Sequence, residues 1–453
     1  MTGWSFGSKI YCGAWTTAEM QALFDDAPRT RKWIELLVVL AELQAEYGLI
    51  PQEAAQDIRT TCASLDVDDA FLAECRAGYE ATAHSTAGLI SAVGRRCAAS
   101  GREWFYFGAT VQDIADTWLM LALRDARRLL TADLERAITA CEKLCRRHRD
   151  TIMAGRTHGQ QGLPITFGFK AASWLGELYR HRGRILETAA RMDVGQLCGG
   201  VGSLSALGPE ALALQRRFFA RFGLRAPETS WTASRDRYAE WAQLLALIAA
   251  TADRIGHEIY NLQRDEIAEL REASLLHGVG SITMPHKRNP ETAEHLGALA
   301  RVVRANASLL LESLVHDHER DGRSWKVEWH AIPELTMAAG KALSLLAPLL
   351  ENLEVDAKRM RGNLTANGGF ALSEGVMLAL ARRIGKAAAH RRILSLAAAA
   401  RQQGVAFADA VARDELIRMH LAEDEIARLL DPAAQIGQCL ALVDALLSAR
   451  DSP

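Results

Sequence analysis

The sequence predicts an all-α protein in three parts. Three observations carry that expectation: proline is scarce, apolar residues recur every three or four positions over long stretches, and no stretch alternates convincingly as a strand would. Only 11 of the 453 residues are proline, about half the usual ~5%. An interior proline removes a helix hydrogen bond and clashes with the preceding turn, so its scarcity leaves room for long uninterrupted helices.

The first part, residues 1–108, reads as a region of shorter helices. Lys32 to Tyr47 forms one of them, closed by Gly48 and restarted after Pro51. The middle, 109–355, opens with apolar residues at Leu119, Leu123, Ala126, Leu130, Leu134, Ala137, Cys141 and Leu144, which one amphipathic helix of about eight turns would contain. After Trp231 the pattern returns at Tyr238, Trp241, Leu245, Ile248, Ala252, Ile255, Ile259 and Leu262, with Ser234 as N-cap and Asp236 favouring the helix start. Such alternating steps make a bundle seam. Segments near 165–192, 291–315 and 333–353 read alike, so the middle supplies about five long helices. The last part, 356–453, is an alanine- and arginine-rich run of short helices ending near Asp431-Pro432.

Charge and composition narrow the partners. Lys plus Arg (53) nearly balance Asp plus Glu (55), for a net charge of -2, which argues against a surface that holds nucleic acid by counterion release. No apolar run reaches the ~18 residues of a membrane span. Met1 to Tyr11 lacks a signal-peptide profile, so a soluble cytoplasmic protein with no membrane partner is expected. The eight cysteines are scattered without a CxxC pair and are expected to be reduced, buried thiols. There is neither a GxGxxG after a strand nor a GxxxxGK[ST], so nicotinamide and ATP are not implied and no cofactor is expected. His316 and His318 stand in an H-x-H spacing without a helical i, i+4 ligand pair, and no metal is expected either.

Chemistry concentrates in loops between the helices. Gly278-Val279-Gly280-Ser281-Ile282-Thr283-Met284-Pro285-His286-Lys287-Arg288-Asn289-Pro290 gathers a hydroxyl, an ammonium and an amide in one glycine- and proline-punctuated segment. Those groups suit a nucleophile or base, a charge stabiliser and a hydrogen-bond donor. Gly155-Arg156-Thr157-His158-Gly159-Gln160-Gln161 precedes one long helix, and Gly108-Ala109-Thr110-Val111-Gln112-Asp113 precedes another. Ahead of both lies Thr82-Ala83-His84-Ser85. Behind them come Asn261-Leu262-Gln263-Arg264-Asp265-Glu266 and His318-Glu319-Arg320-Asp321, followed by Trp325, Glu328 and Trp329.

The 278–290 loop resembles the GSSxMPxKxNP signature of the fumarase/aspartase superfamily of lyases, with Ile282 for the second serine. The 155–161 and 108–113 segments are similar to that family's RTHGQ and G-x-TSxD elements, with Val111 for serine in the latter. The resemblance implies Ser281 as the base, with Lys287, Asn289, Thr157 and Thr110 holding substrate carboxylates. It also implies His158 as the acid or its relay, oriented by Glu294. His84 looks like the histidine of the TxHD element of adenylosuccinate lyases, with Ser85 for aspartate, and Gln263 looks like their substrate-binding glutamine. The run from His318 to Trp329 resembles instead the HER...W..EW run of bacterial 3-carboxy-cis,cis-muconate cycloisomerases, and Arg320 is a candidate carboxylate clamp. Trp329 stands where adenylosuccinate lyases carry a phosphate-binding arginine, and an indole cannot supply that charge.

The resemblance therefore implies a cycloisomerase-like scaffold around a fumarate-lyase-like site for a small dicarboxylate substrate without phosphate. The implied fold is a three-domain lyase whose middle helices assemble as a homotetramer around a roughly 20-helix core, with each active site drawn from three chains. The implied reaction is anti elimination across a succinyl unit, releasing fumarate. Charge then builds on a carboxylate and needs preorganised donors. Ser281 needs nearby positive charge and exclusion of water, which closure of the glycine-rich loop would supply. A 3-carboxy-cis,cis-muconate cycloisomerase, an adenylosuccinate lyase and a catalytically silent structural tetramer are the alternatives. His84 and His158 stand against the first, Trp329 against the second, and the joint presence of Ser281, Lys287, Asn289, His158 and Glu294 against the third.

Overall fold

The computed structural model describes residues 8–273 and 283–449. Among these are twenty α-helices and four short strands, so the all-α expectation holds. The elements that position the site are α1 (Asp26–Glu46), α2 (Gln52–Ala63), α3 (Asp69–Thr82), α4 (Ala87–Gly94), α5 (Val111–Arg147), β1 (Ile152–Thr157), β2 (Gln160–Thr166), α6 (Phe167–Met192) and α7 (Ala211–Ala220). They continue with α8 (Asp236–Gln263), β3 (Leu270–Arg271), α9 (Glu291–Glu312), α10 (Gly322–Glu351), β4 (Glu354–Val355) and α11 (Ala357–Ala366). The five long helices α5, α6, α8, α9 and α10 occupy the five segments that the three-four spacing marks out.

The chain divides into two compact units. The first comprises the residues up to Asp133, His181–Ala250 and Ala298–Ser344; the second comprises Leu134–Arg180, Thr251–Gly297 and the residues from Leu345 on. The division cuts each of the five long helices within its length.

In the first unit, α1 buries Ile34, Leu37, Leu40 and Ala41 in one apolar cluster with Phe218, Phe219 and Phe222 from and just after α7. Each such side chain removed from water stabilises the fold by about 1.5–3 kcal/mol before entropy is counted. The end of α1 follows its sequence signal: Gly48 takes φ +71, open to glycine without a Cβ penalty, and the Gly48 and Leu49 amides satisfy the carbonyls of Ala45 and Gln44. Asp68 caps α3 by accepting from the Phe71 amide at 2.9 Å. A Cβ on Gly78 of α3 would stand 2.3 Å from the Cα of Gly88 in α4. Only glycine permits that approach, and it sets the turn that carries His84.

In the second unit, β1 and β2 form an antiparallel hairpin joined by His158 and Gly159, whose φ values are +52 and +73. Positive φ at both central residues is the requirement of a tight two-residue hairpin turn. The short antiparallel pair β3–β4 sets Leu270 opposite Val355 and Arg271 opposite Glu354. Neither pair was legible as strands in the sequence. The hairpin is short and its far end is polar, so alternation never runs long enough to stand out. The C-terminal segment of this unit has its own apolar cluster around Val376, Leu380, Phe407, Val411 and Ile417.

All eight cysteines are free thiols. Among the described residues, no single helix is long and apolar enough to cross a membrane.

Candidate active site

In the first unit, the site is built on the start of α5. Asp113 is buried and accepts from three backbone amides: Thr110 at 2.9 Å, Cys198 at 2.7 Å and Gly199 at 3.2 Å. It therefore fastens the glycine turn at 199–202 to the loop that carries Thr110. Burial pushes its carboxyl up to about 6, and the three N–H donors restrain that rise. Thr110 is thereby fixed, and its Oγ1 accepts from Nη1 of Arg320 at 2.9 Å. Nε and Nη2 of Arg320 are buried and have no hydrogen-bond partner among the described residues. These two donors form one edge of the guanidinium fork, the edge that matches both oxygens of a carboxylate.

His84 lies exposed on the turn between α3 and α4, with Nδ1 3.4 Å from the Thr86 amide and 3.3 Å from its hydroxyl. Accepting from that amide places the ring proton on Nε2, so a neutral His84 presents a donor. Behind this group Arg235 is enclosed by two carboxylates. Its Nη1 and Nη2 each reach Asp116 at 2.8 Å, and its Nε and Nη2 reach Glu328 at 2.8 and 2.6 Å. The guanidinium also lies over Trp231 and Tyr238, at 5.1 and 4.8 Å from the ring centroids. Burial pushes Glu328 up to about 7, against the pull of Arg235. The cluster ties α5, the start of α8 and α10 together.

A cavity of about 970 Å³ opens in the same unit. It is walled by Trp33, Trp118, Trp325 and Trp329, and it is bounded by Ser85 and Val111, the residues that follow His84 and Thr110 in the chain. Trp325 and Trp329 meet edge to face at 4.8 Å.

In the second unit, the hairpin turn presents Thr157 and His158, both exposed. Arg156 just before them turns inward, and its two terminal nitrogens bind the fully buried Glu269 at 2.6 and 2.8 Å. Asn363 adds a donor to the same carboxylate at 2.8 Å. This arginine anchors the hairpin; its hydrogen bonds are spent on the fold.

The described part of the signature segment, 283–290, is held at its C-terminal end. The carboxylate of Glu272 accepts from the amides of Thr292 and Ala293 at 3.0 and 2.7 Å, capping the start of α9. Arg288 reaches back to the Glu272 carbonyl at 2.9 Å and pairs with Glu354 at 2.8 Å. Gln263, 9% exposed, donates to the Arg288 carbonyl at 2.9 Å and accepts from the Glu272 amide at 2.8 Å, so its amide braces the segment from within. Lys287 is exposed, and Asn289 is half-buried with its amide 3.3 Å from Glu291. Glu294 sits exposed in the first turn of α9, and no hydrogen bond joins it to His158 within the chain. Ser281, the expected base, and its neighbour Ile282 lie outside the described residues.

The structure thus joins Thr110 directly to Arg320 and Gln263 to the signature segment. Asp113 and Glu328 stood in motif segments of the sequence without a role, and none was assigned to the other buried partners Arg235, Asp116, Glu269 and Glu272. A signal existed for two of them: Asp113 and Asp116 occupy one face of a helix, three residues apart, beside residues that are otherwise buried.

Comparison with known proteins places these features. Residues 14–305 match the lyase family, and residues 369–446 match the C-terminal region of adenylosuccinate lyase. The chain is 38% identical to N-acetyl-S-(2-succino)cysteine lyase of Enterococcus italicus, over 96% of this chain and 94% of that one. It is 37% identical to 3-carboxy-cis,cis-muconate cycloisomerase of Pseudomonas aeruginosa, over 97% and 96%. Among solved structures, the fumarate lyase of Mesorhizobium sp. BNC1 superposes with a TM-score of 0.88 at 31% identity, covering 96% of this chain and 98% of that one.

Proposed function

The chain belongs to the fumarase/aspartase superfamily of lyases, and from that premise we propose that it releases fumarate from an S-substituted succinate by anti elimination. The observation that carries this reading is the free edge of Arg320. Its Nη1 is held by Thr110, while Nε and Nη2 are buried without a partner among the described residues. A buried donor pair left unmatched is costly, and a substrate carboxylate satisfies both at once. The tryptophans of the adjoining cavity suit a thioether, since sulfur packs favourably against aromatic edges. Support for sulfur as the leaving atom comes from the relatives named N-acetyl-S-(2-succino)cysteine lyase.

In the elimination, Ser281 removes a proton from the carbon beside one carboxylate, and the electron pair forms the new double bond as the neighbouring C–S bond breaks. The developing charge spreads onto that carboxylate, where Lys287, Asn289 and Thr157 supply donors. His158 returns a proton to the departing sulfur, so the products are fumarate and a thiol. In this reading Glu294 of one subunit orients His158 of another. The protein acts as a homotetramer whose sites combine residues of three chains.

The decisive experiment incubates purified protein with S-(2-succino)cysteine and its N-acetyl derivative and follows fumarate and free thiol. Stoichiometric release of both products supports the proposal. A second reading, lactonisation of 3-carboxymuconate, is favoured by the paired Trp325 and Trp329 of the run shared with cycloisomerases. Lactone formation without fumarate release from any thioether would replace the first reading with the second.

A further inference from the structure

The walls of the first-unit cavity carry more information than its size. Six carboxylates and two guanidinium groups line it. Several already have a partner: Asp116 and Glu328 share Arg235, Asp26 pairs with Arg29 at 2.6 Å, and Glu334 lies 3.3 Å from the His330 ring. Arg29 in turn lies over Trp33 and Trp118, at 5.5 and 5.9 Å from their centroids. Two carboxylates, Asp25 and Asp69, and one cation, Arg76, line the cavity without an ion pair among the described residues. Asp69 and Arg76 stand seven residues apart on α3, about two turns, and so share one face. In addition, Arg235 is shared between two carboxylates, Asp116 and Glu328.

A ligand that completes such a cavity has an apolar middle for the tryptophans, a cation for the unpaired carboxylates and the aromatic faces, and one anion for Arg76. A free amino acid linked through its side chain has that pattern. An N-acylated amino acid has the anion and the apolar middle but no cation, and it adds negative charge to a cavity already in excess. Ser85 and Val111, which follow His84 and Thr110 in the chain, line the cavity, so it adjoins the segment whose Thr110 holds Arg320 and can receive the group departing from a succinyl unit bound there.

We propose that this cavity is the leaving-group subsite and that it selects an amino-acid thiol with a free α-ammonium group over its N-acylated form. The inference rests on the thioether reading above. The bond chemistry is unchanged: the C–S bond breaks, the sulfur takes the proton, and the amino group is recognised without being consumed.

The test compares kcat/KM for S-(2-succino)cysteine and its N-acetyl derivative on the whole protein, then repeats both with an Asp25→Asn, Asp69→Asn double variant. Both residues are exposed, so the fold tolerates the change. The free amine is expected to be preferred by about tenfold or more, with the ratio falling towards unity in the variant. Equal or faster turnover of the N-acetyl form by the wild type overturns the selectivity. An undiminished ratio in the variant overturns the assignment of the cavity. Release of fumarate from neither substrate overturns the thioether reading itself, and this inference with it.

Discussion

Arg320 and Asp113 show how much of this site depends on single hydrogen bonds. Arg320 is held at one nitrogen by Thr110, and its other two donors have no partner among the described residues. A lysine there keeps the charge and loses the fork, so Arg320→Lys should raise KM for the succinyl substrate by roughly tenfold to a hundredfold while unfolding as the wild type does. An unchanged KM would remove Arg320 from carboxylate binding. Asp113 carries a pH dependence with a definite sign. Its carboxyl stands at about 6 in the folded protein against an ordinary 3.8, so the folded state binds this proton more tightly than the unfolded state. The stability it contributes is full below about pH 3.8 and is lost as pH rises through about 6. The unfolding midpoint of the wild type, measured relative to Asp113→Asn, should therefore fall between pH 4 and 6 and run level on either side. A constant difference across that range counts against the assignment.

Helix ends and short strands, more than helix interiors, position the chemistry. The start of α9 is capped by Glu272, whose carboxylate accepts from two amides. Glu272→Ala leaves both amides without that acceptor and should cost about 1–3 kcal/mol in denaturant unfolding. It should also depress turnover, because Glu272 caps the helix that follows the signature segment and its carbonyl holds Arg288 within that segment. Full stability with normal turnover would show that the segment is held otherwise. The β1–β2 hairpin does comparable work for His158. Its turn was not legible as such because a His-Gly pair is an uncommon signal for the positive φ values it adopts. The long helices were legible, since three-four spacing sustained over many turns has no competing interpretation.

For the whole molecule, the expected assembly makes its own prediction. The proposed site needs residues from more than one chain, so sedimentation should report a tetramer. Mixing inactive Ser281→Ala with inactive His158→Ala protein, followed by reassembly, should restore activity because some sites then contain both intact residues. Failure of mixed tetramers to regain turnover, with exchange of subunits verified, would place the complete site within one chain. Subunit association also links activity to protein concentration, which dilution experiments would detect.

Periodicity and local motifs were enough to establish an all-α fold, the five long helices and the Gly48 stop, and to mark the candidate segments for chemistry. All of these are written in neighbouring residues: a helix repeats every few positions, and a reactive loop must keep its functional groups together. The sequence did not reveal which polar residues would be consumed by the fold. Arg156 and Gln263 lie in motif segments, yet their hydrogen bonds go to Glu269 and to the Arg288 and Glu272 backbone. Arg235, Asp116 and Glu328 come from three separate helical segments and acquire their meaning only when packing removes them from water together. Burial and pairing are properties of residues distant in sequence. Tertiary structure therefore decided which groups are satisfied and which, like the edge of Arg320, have no partner among the described residues.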